Sequence, residues 1–168
     1  MKILEVDKAR YRNHVKKVIV ACIVYLAVGS LGLSQALIAL FPAGQGSHFH
    51  WNLIGVAITA CSLLWVLMKV RHHDFMLEVT YVWDLKQALN QVIRKMRRLK
   101  LACEEGDERA MQAMQFYFQG SRQLAHLDDN DLGLEALSEE QSKLELQAQE
   151  AGVVLDEKRY DPSHLKGV

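Results

Sequence analysis

Two apolar runs dominate the pattern of hydrophobic and polar positions: Val18 to Phe41 and Leu53 to Met68, with a short polar turn between them. The first has 24 residues and no formal charge. As a helix rising about 1.5 Å per residue it is roughly 36 Å long, enough for a hydrocarbon core of about 30 Å. The second, with 16 core residues, is short for a span. Val70 and the interfacial Trp51 and Lys69 extend it by snorkelling and tilt. The pattern predicts a transmembrane hairpin over residues 18–70, with spans at about 18–41 and 53–70. A cleaved secretory signal is the competing reading. The first run is too long for one, lacks a small-residue cleavage site, and is followed by a second apolar run.

Small residues mark the faces on which the spans would meet. Gly29, Gly32, Ala36 and Ala39 recur at 3-4-3 spacing, and Gly55, Thr59 and Ser62 follow at i, i+4 and i+7. Such residues let backbones approach closely, so these seven are the expected intramembrane packing set. Gln35 should reach a partner helix or the interface, because an unsatisfied amide in hydrocarbon is costly. Pro42 to Ser47 reads as the turn.

After Lys69 the period changes. Val82, Leu85, Leu89, Val92, Met96, Leu99 and Cys103 keep strict 3-4 spacing, a heptad-like seam. One helix is expected to about Ala102, with His72-His73-Asp74 as the place for a bend. Gly106 ends it and Asp107 caps the next. That helix runs to Leu127 with a stripe of Met111, Met114, Phe118 and Ala125, flanked by Ala110 and Tyr117. The short turn between the two predicts an antiparallel hairpin. Ser138-Glu139-Glu140-Gln141 reads as a capping box opening a third helix that ends near Gly152. The fold class is therefore all-α: a two-helix transmembrane hairpin, then a cytoplasmic antiparallel helical hairpin and a third, shorter helix. The expected divisions are a basic flank at 1–17, the hairpin at 18–70, a helical domain at 71–152 and a tail at 153–168. The seam, with Met114 and Phe118 opposite it, is more than two helices can cover. It asks for residues 138–151, a partner, or a second copy, and a homodimer is the expected cover because anchoring in a membrane concentrates the copies.

Charge gives the orientation. Residues 42–52 carry no Lys or Arg, whereas the flanks outside both runs carry several. The positive-inside rule then puts both termini in the cytoplasm of a multi-pass protein. Net charge is zero, yet residues 1–102 carry 14 Lys/Arg and 5 Asp/Glu, and residues 103–168 carry 6 and 15. Halves of +9 and −9 attract each other or seek separate partners. Arg94, Lys95, Arg97, Arg98 and Lys100 form a basic cluster off the seam.

Candidate chemistry adds little. Cys22, Cys61 and Cys103 form no CxxC pair, which argues against a disulfide scaffold. His48 and His50 are two imidazoles without the further ligand that zinc requires. Asp128 to Gly133 does not align with the ligand positions of a calcium loop. No Ser–His–Asp order, phosphate-binding glycine loop or paired intramembrane carboxylate is present. The expectation is a non-enzyme without cofactor or metal.

Several local patterns together resemble a known family. They are Asn52-Leu53-x-Gly55-Val56, Trp83-x-Leu85-Lys86, Gly106-Asp107 ahead of Phe116-Tyr117, then Gln123, Leu127-Asp128 and Asn130, and finally Asp161-Pro162-x-x-Leu165. In this order they resemble an uncharacterised family of gammaproteobacterial membrane proteins, classed as a domain of unknown function. The resemblance implies a bacterial inner membrane and supplies no mechanism. The expected role is a helical assembly, scaffold or accessory subunit, with membrane lipids and a second copy or larger complex as partners. The alternative is a membrane-anchored regulator that binds anionic lipid or nucleic acid through residues 94–100, with nucleic acid disfavoured.

Overall fold

The computed structural model describes residues 3–41, 48–130, 132–156 and 160–165, without the His164 side chain. The predicted turn at Pro42–Ser47 lies outside the described residues. Every described element is helical. In order they are α1 (Lys8–Leu40), α2 (Phe49–Val70), a 3-10 turn (Asp74–Met76), α3 (Leu77–Arg94), α4 (Met96–Glu104), α5 (Glu108–Asp128), α6 (Leu134–Glu150) and a second 3-10 turn (Pro162–Leu165). The chain divides into two compact units, Ala9–Thr80 and Met1–Lys8 with Tyr81–Val168.

In the first unit, α1 and α2 are long and apolar enough to cross a bilayer. α1 starts ten residues before the apolar run. Its basic first turns are tied down by Glu78, which accepts from Arg10 Nε at 2.7 Å and lies 2.8 Å from His14 Nδ1. The His14 ring also packs on Phe75, centroids 4.2 Å apart. α2 ends at Val70 and does not continue into the next helix. The chain turns at 71–73, where the His73 side chain accepts from Phe75 N at 3.3 Å and opens the 3-10 turn. Thr80 Oγ1 closes the corner by donating to Arg71 O at 3.1 Å.

The two apolar helices meet on a face turned away from part of the expected one. A Cβ on Gly29 would stand 2.6 Å from Thr59 Cγ2, and one on Gly55 would stand 2.9 Å from the Ser34 backbone N. Both glycines are therefore points of close approach. Ser34 and Thr59 are buried there, and Ser62 Oγ lies 3.0 Å from Tyr25 Oη. Gly32, Ala36 and Ala39 are exposed instead, and a Cβ on Gly32 would meet nothing within 4 Å. The correction has a steric reason. Spacing picks out every small face, but a hairpin uses the one on which both backbones fit, and Ser34 and Thr59 complete it. Gln35 is also exposed.

The second unit is a helical bundle around α5. The helix expected to run on to Ala102 is interrupted at Lys95, whose φ and ψ are −110° and 6°. No Gly or Pro lies there. Lys95 N bonds Val92 O in a tight turn, and its ammonium donates to the Leu165 carbonyl of the C-terminal 3-10 turn. The seam survives the break: Val82, Leu85, Leu89, Val92, Leu99 and Cys103 are buried, and Met96 is half-buried against them.

α5 departs furthest from expectation. Asp107 caps it, its carboxylate accepting from Arg109 N and Ala110 N, after Gly106 at φ 84°. Its burial is not a stripe. Residues 110–116 are buried without interruption, as are Phe118, Gly120 and Leu127, because α4, α6 and the C-terminal turn all pack on it. α3 closes the remaining side, where a Cβ on Gly120 would come 3.0 Å from Leu89 Cδ2. α6 begins at Leu134, behind Gly133 at φ 83°. The Ser138 capping box therefore does not form; Ser138 Oγ donates to Leu134 O from inside the helix.

Both ends of the chain dock on the bundle. Tyr81 Oη accepts from Leu4 N at 2.8 Å and donates to Gln123 Oε1 at 2.9 Å. Gln112, buried in α5, donates from Nε2 to Val154 O at 2.7 Å and accepts from Asp156 N at 2.9 Å. Tyr160 stacks on Phe116, centroids 4.1 Å apart, and Leu165 is buried. With Leu144 and Ala148 of α6 in the same core, the seam is covered within one chain. Its burial does not require the second copy that the sequence suggested.

Candidate interaction surface

What the bundle leaves outside is set by which cations its own acids neutralise. The basic cluster is divided by the break at Lys95. Lys95 holds the Leu165 carbonyl, and Lys100 Nζ pairs with Glu140 at 2.7 Å. Arg98 is engaged as well. Arg94, the last residue of α3, and Arg97, on the first turn of α4, are exposed and make no ion pair among the described residues.

These two arginines fall on a 3-4 stripe with Trp83, Gln87, Asn90 and Leu101, on the side opposite the seam. Trp83 and Leu101 are 63% and 53% exposed, high for side chains of that size, and Ile93 lies beside Arg94. A surface that mixes Arg with exposed aromatic and aliphatic side chains has the composition of protein interfaces. Ile93 also lines a neighbouring groove of about 480 Å³ walled by Leu89, Tyr117, Leu124 and Leu137. Lys86 and Asp128, paired at 2.9 Å, stand on its rim.

α6 presents the opposite character. Glu135, Glu139, Ser142 and Leu146 form its exposed stripe. Glu135 and Glu139 make no ion pair among the described residues, and Leu146 is 61% exposed. One face of the bundle is thus basic with apolar points and another is acidic with one.

Burial shifts three titratable groups of the bundle. Burial, with Asp107 and Glu104 nearby, pushes the Cys103 thiol up to about 12, so it stays protonated and unreactive. Burial also raises the Tyr160 phenol, aided by Asp161. For Tyr81 burial outweighs the lowering effect of its two hydrogen bonds. Among the described residues no group of three or more His, Cys, Asp or Glu could hold a metal ion. Gln112 escaped the sequence reading. It lies off the stripe of Met111, Met114 and Phe118, and only burial of residues 110–116 on every side makes it a clamp.

The family model described as a protein of unknown function (DUF3087) matches residues 1–165. The chain belongs to that family. No curated protein and no solved structure matches it significantly. Membership covers both units, so the apolar hairpin and the bundle are parts of one family architecture rather than a fusion of separate modules.

Proposed function

We propose that the protein is a non-enzymatic assembly protein anchored in a bacterial inner membrane, with both termini and the bundle in the cytoplasm. The anchor is supported by the exposure of α1 and α2. Only 6% and 11% of their apolar windows are buried within the chain, unlike core helices of a soluble protein. The orientation rests on the absence of Lys and Arg between the helices and their abundance outside them.

The observation that carries the role is the uncompensated Arg94–Arg97 stripe flanked by Trp83 and Leu101. Its partner is the acidic α6 stripe of a second copy, Glu135 and Glu139 meeting the arginines and Leu146 meeting the apolar points. Tethering in one membrane raises the local concentration, so a modest interface suffices. A second reading, contact with anionic lipid headgroups, is favoured by Trp83 on the same stripe, since Trp is enriched at membrane interfaces.

Cysteine crosslinking in native membranes tests both. Paired cysteines at Gln87 and Ser142 should crosslink between copies. Arg94→Glu with Arg97→Glu should abolish the product, and coexpressed Glu135→Arg/Glu139→Arg chains should restore it. No crosslink in the unmutated background defeats the dimer. Loss of Trp83 quenching by brominated anionic lipids would be expected if only the dimer forms. For topology, a Cys at Gly46 should react with an external thiol reagent and one at Gln141 should not.

A further inference from the structure

Between α1 and α2, at the end where α2 leaves for the corner at residues 71–76, runs an apolar groove of about 520 Å³. Its walls are Ala21 and Tyr25 from α1 and Leu63 and Leu67 from α2, and Lys17 and His73 stand at its mouth. The eight residue steps from Lys17 to Tyr25 rise about 12 Å, close to the depth of one leaflet's hydrocarbon, which is roughly half of a 30 Å core. The Tyr25–Ser62 hydrogen bond pins the inner end.

The groove is greasy along its length and cationic at one end only. Lys17 is exposed and makes no ion pair among the described residues. Lys16 beside it is likewise without one, and Lys69 and Arg71 lie at the same end of the hairpin. The acids near that end are Asp74 and Glu78, and Glu78 is already held by Arg10 and His14. A positive mouth over an apolar slot matches one molecule available all round such a hairpin: a phospholipid with an anionic headgroup. Basic sites between spans on the cytoplasmic side bind such headgroups. A packed helix would fill the slot but leave the Lys17 charge unanswered.

We propose that this groove is a binding site for one anionic phospholipid, with an acyl chain along Ala21, Tyr25, Leu63 and Leu67 and the phosphate on Lys17 at the mouth. The proposal rests on the reading that α1 and α2 span a membrane, and the test separates the two. Alkaline carbonate extraction comes first: release of the protein from membranes overturns the membrane reading and the groove with it. If the protein is retained, the full chain purified in mild detergent is examined by native mass spectrometry. It should keep one phosphatidylglycerol-type lipid per chain. After delipidation, phosphatidylglycerol should raise its melting temperature and phosphatidylcholine should not.

Lys17→Gln should weaken phosphatidylglycerol binding about fivefold, the effect of one lysine near an anionic surface. Ala21→Trp, which fills the slot, should abolish retention, and Lys17→Arg should keep it. No retained lipid, equal effects of the two lipids, or full binding by Ala21→Trp would overturn the site while leaving the anchor standing. Crosslinking of Cys22 between copies in the membrane would overturn it in favour of a helix from a second chain.

Discussion

Gln112 is the point at which one substitution should release the start of the tail, residues 153–156, without unfolding the bundle. Its side chain is 2% exposed and spans two backbone groups of the tail, 2.7 Å to Val154 O and 2.9 Å from Asp156 N. Gln112→Leu keeps most of the volume and removes both bonds. Each is worth about 1 kcal/mol net. Val154 is exposed, so water can take over its carbonyl; Asp156 is half-buried, so its N–H recovers less. The local cost is therefore about 2 kcal/mol, near the sum of two such bonds. Gln112→Ala adds a cavity and brings the cost to about 3–4 kcal/mol. Since about 1.4 kcal/mol is a factor of ten, hydrogen exchange at the Asp156 amide should quicken roughly 30-fold in the Leu variant and more in the Ala variant. Amides of α3 inside the core should change much less in the Leu variant. The Phe116–Tyr160 stack holds the tail further along, so release should be confined to residues 153–156. Exchange of peptides from the purified protein, read by mass spectrometry, is the assay. Unchanged protection at Asp156 in both variants, or equal loss through the whole bundle in the Leu variant, would refute the clamp.

Two further predictions test the packing. Gly29→Leu should lower the detergent stability of the hairpin, because even a Cβ there meets Thr59 at 2.6 Å, whereas Gly32→Leu should be tolerated; the opposite ranking, measured by thermal unfolding, would restore the face that spacing alone suggests. In a Cys22→Ser/Cys61→Ser background, Cys103 should resist iodoacetamide at pH 8 and react once urea unfolds the bundle. Its folded pKa is raised from 9.0 to about 12, so the protonated thiol's contribution to stability is complete below about pH 9 and declines as pH rises towards 12. Rapid labelling of the folded protein at pH 8 would contradict that burial.

The sequence by itself determined what depends on neighbours along the chain. Hydropathy over long runs decided that two helices are apolar enough to cross a membrane, since length and composition alone set that property. Gly106 and Asp107 decided where one helix ends and the next begins, and polar residues at 72–74 decided the corner. The presence of a basic cluster at 94–100 was legible in the same way.

Only the tertiary structure decided what depends on distant partners. Which cations remain free follows from Glu140 reaching Lys100 and the Leu165 carbonyl reaching Lys95, pairings 40 and 70 residues apart. The break at Lys95 has no local signal for the same reason. Burial of residues 110–116 on every side of α5, and with it the role of Gln112, requires three helices and both tail anchors to be in place at once. The meeting face of the apolar hairpin was ambiguous because 3-4 spacing describes one helix. Contact between backbones is a property of two, and steric fit at Gly29 and Gly55 selects among the faces that spacing allows.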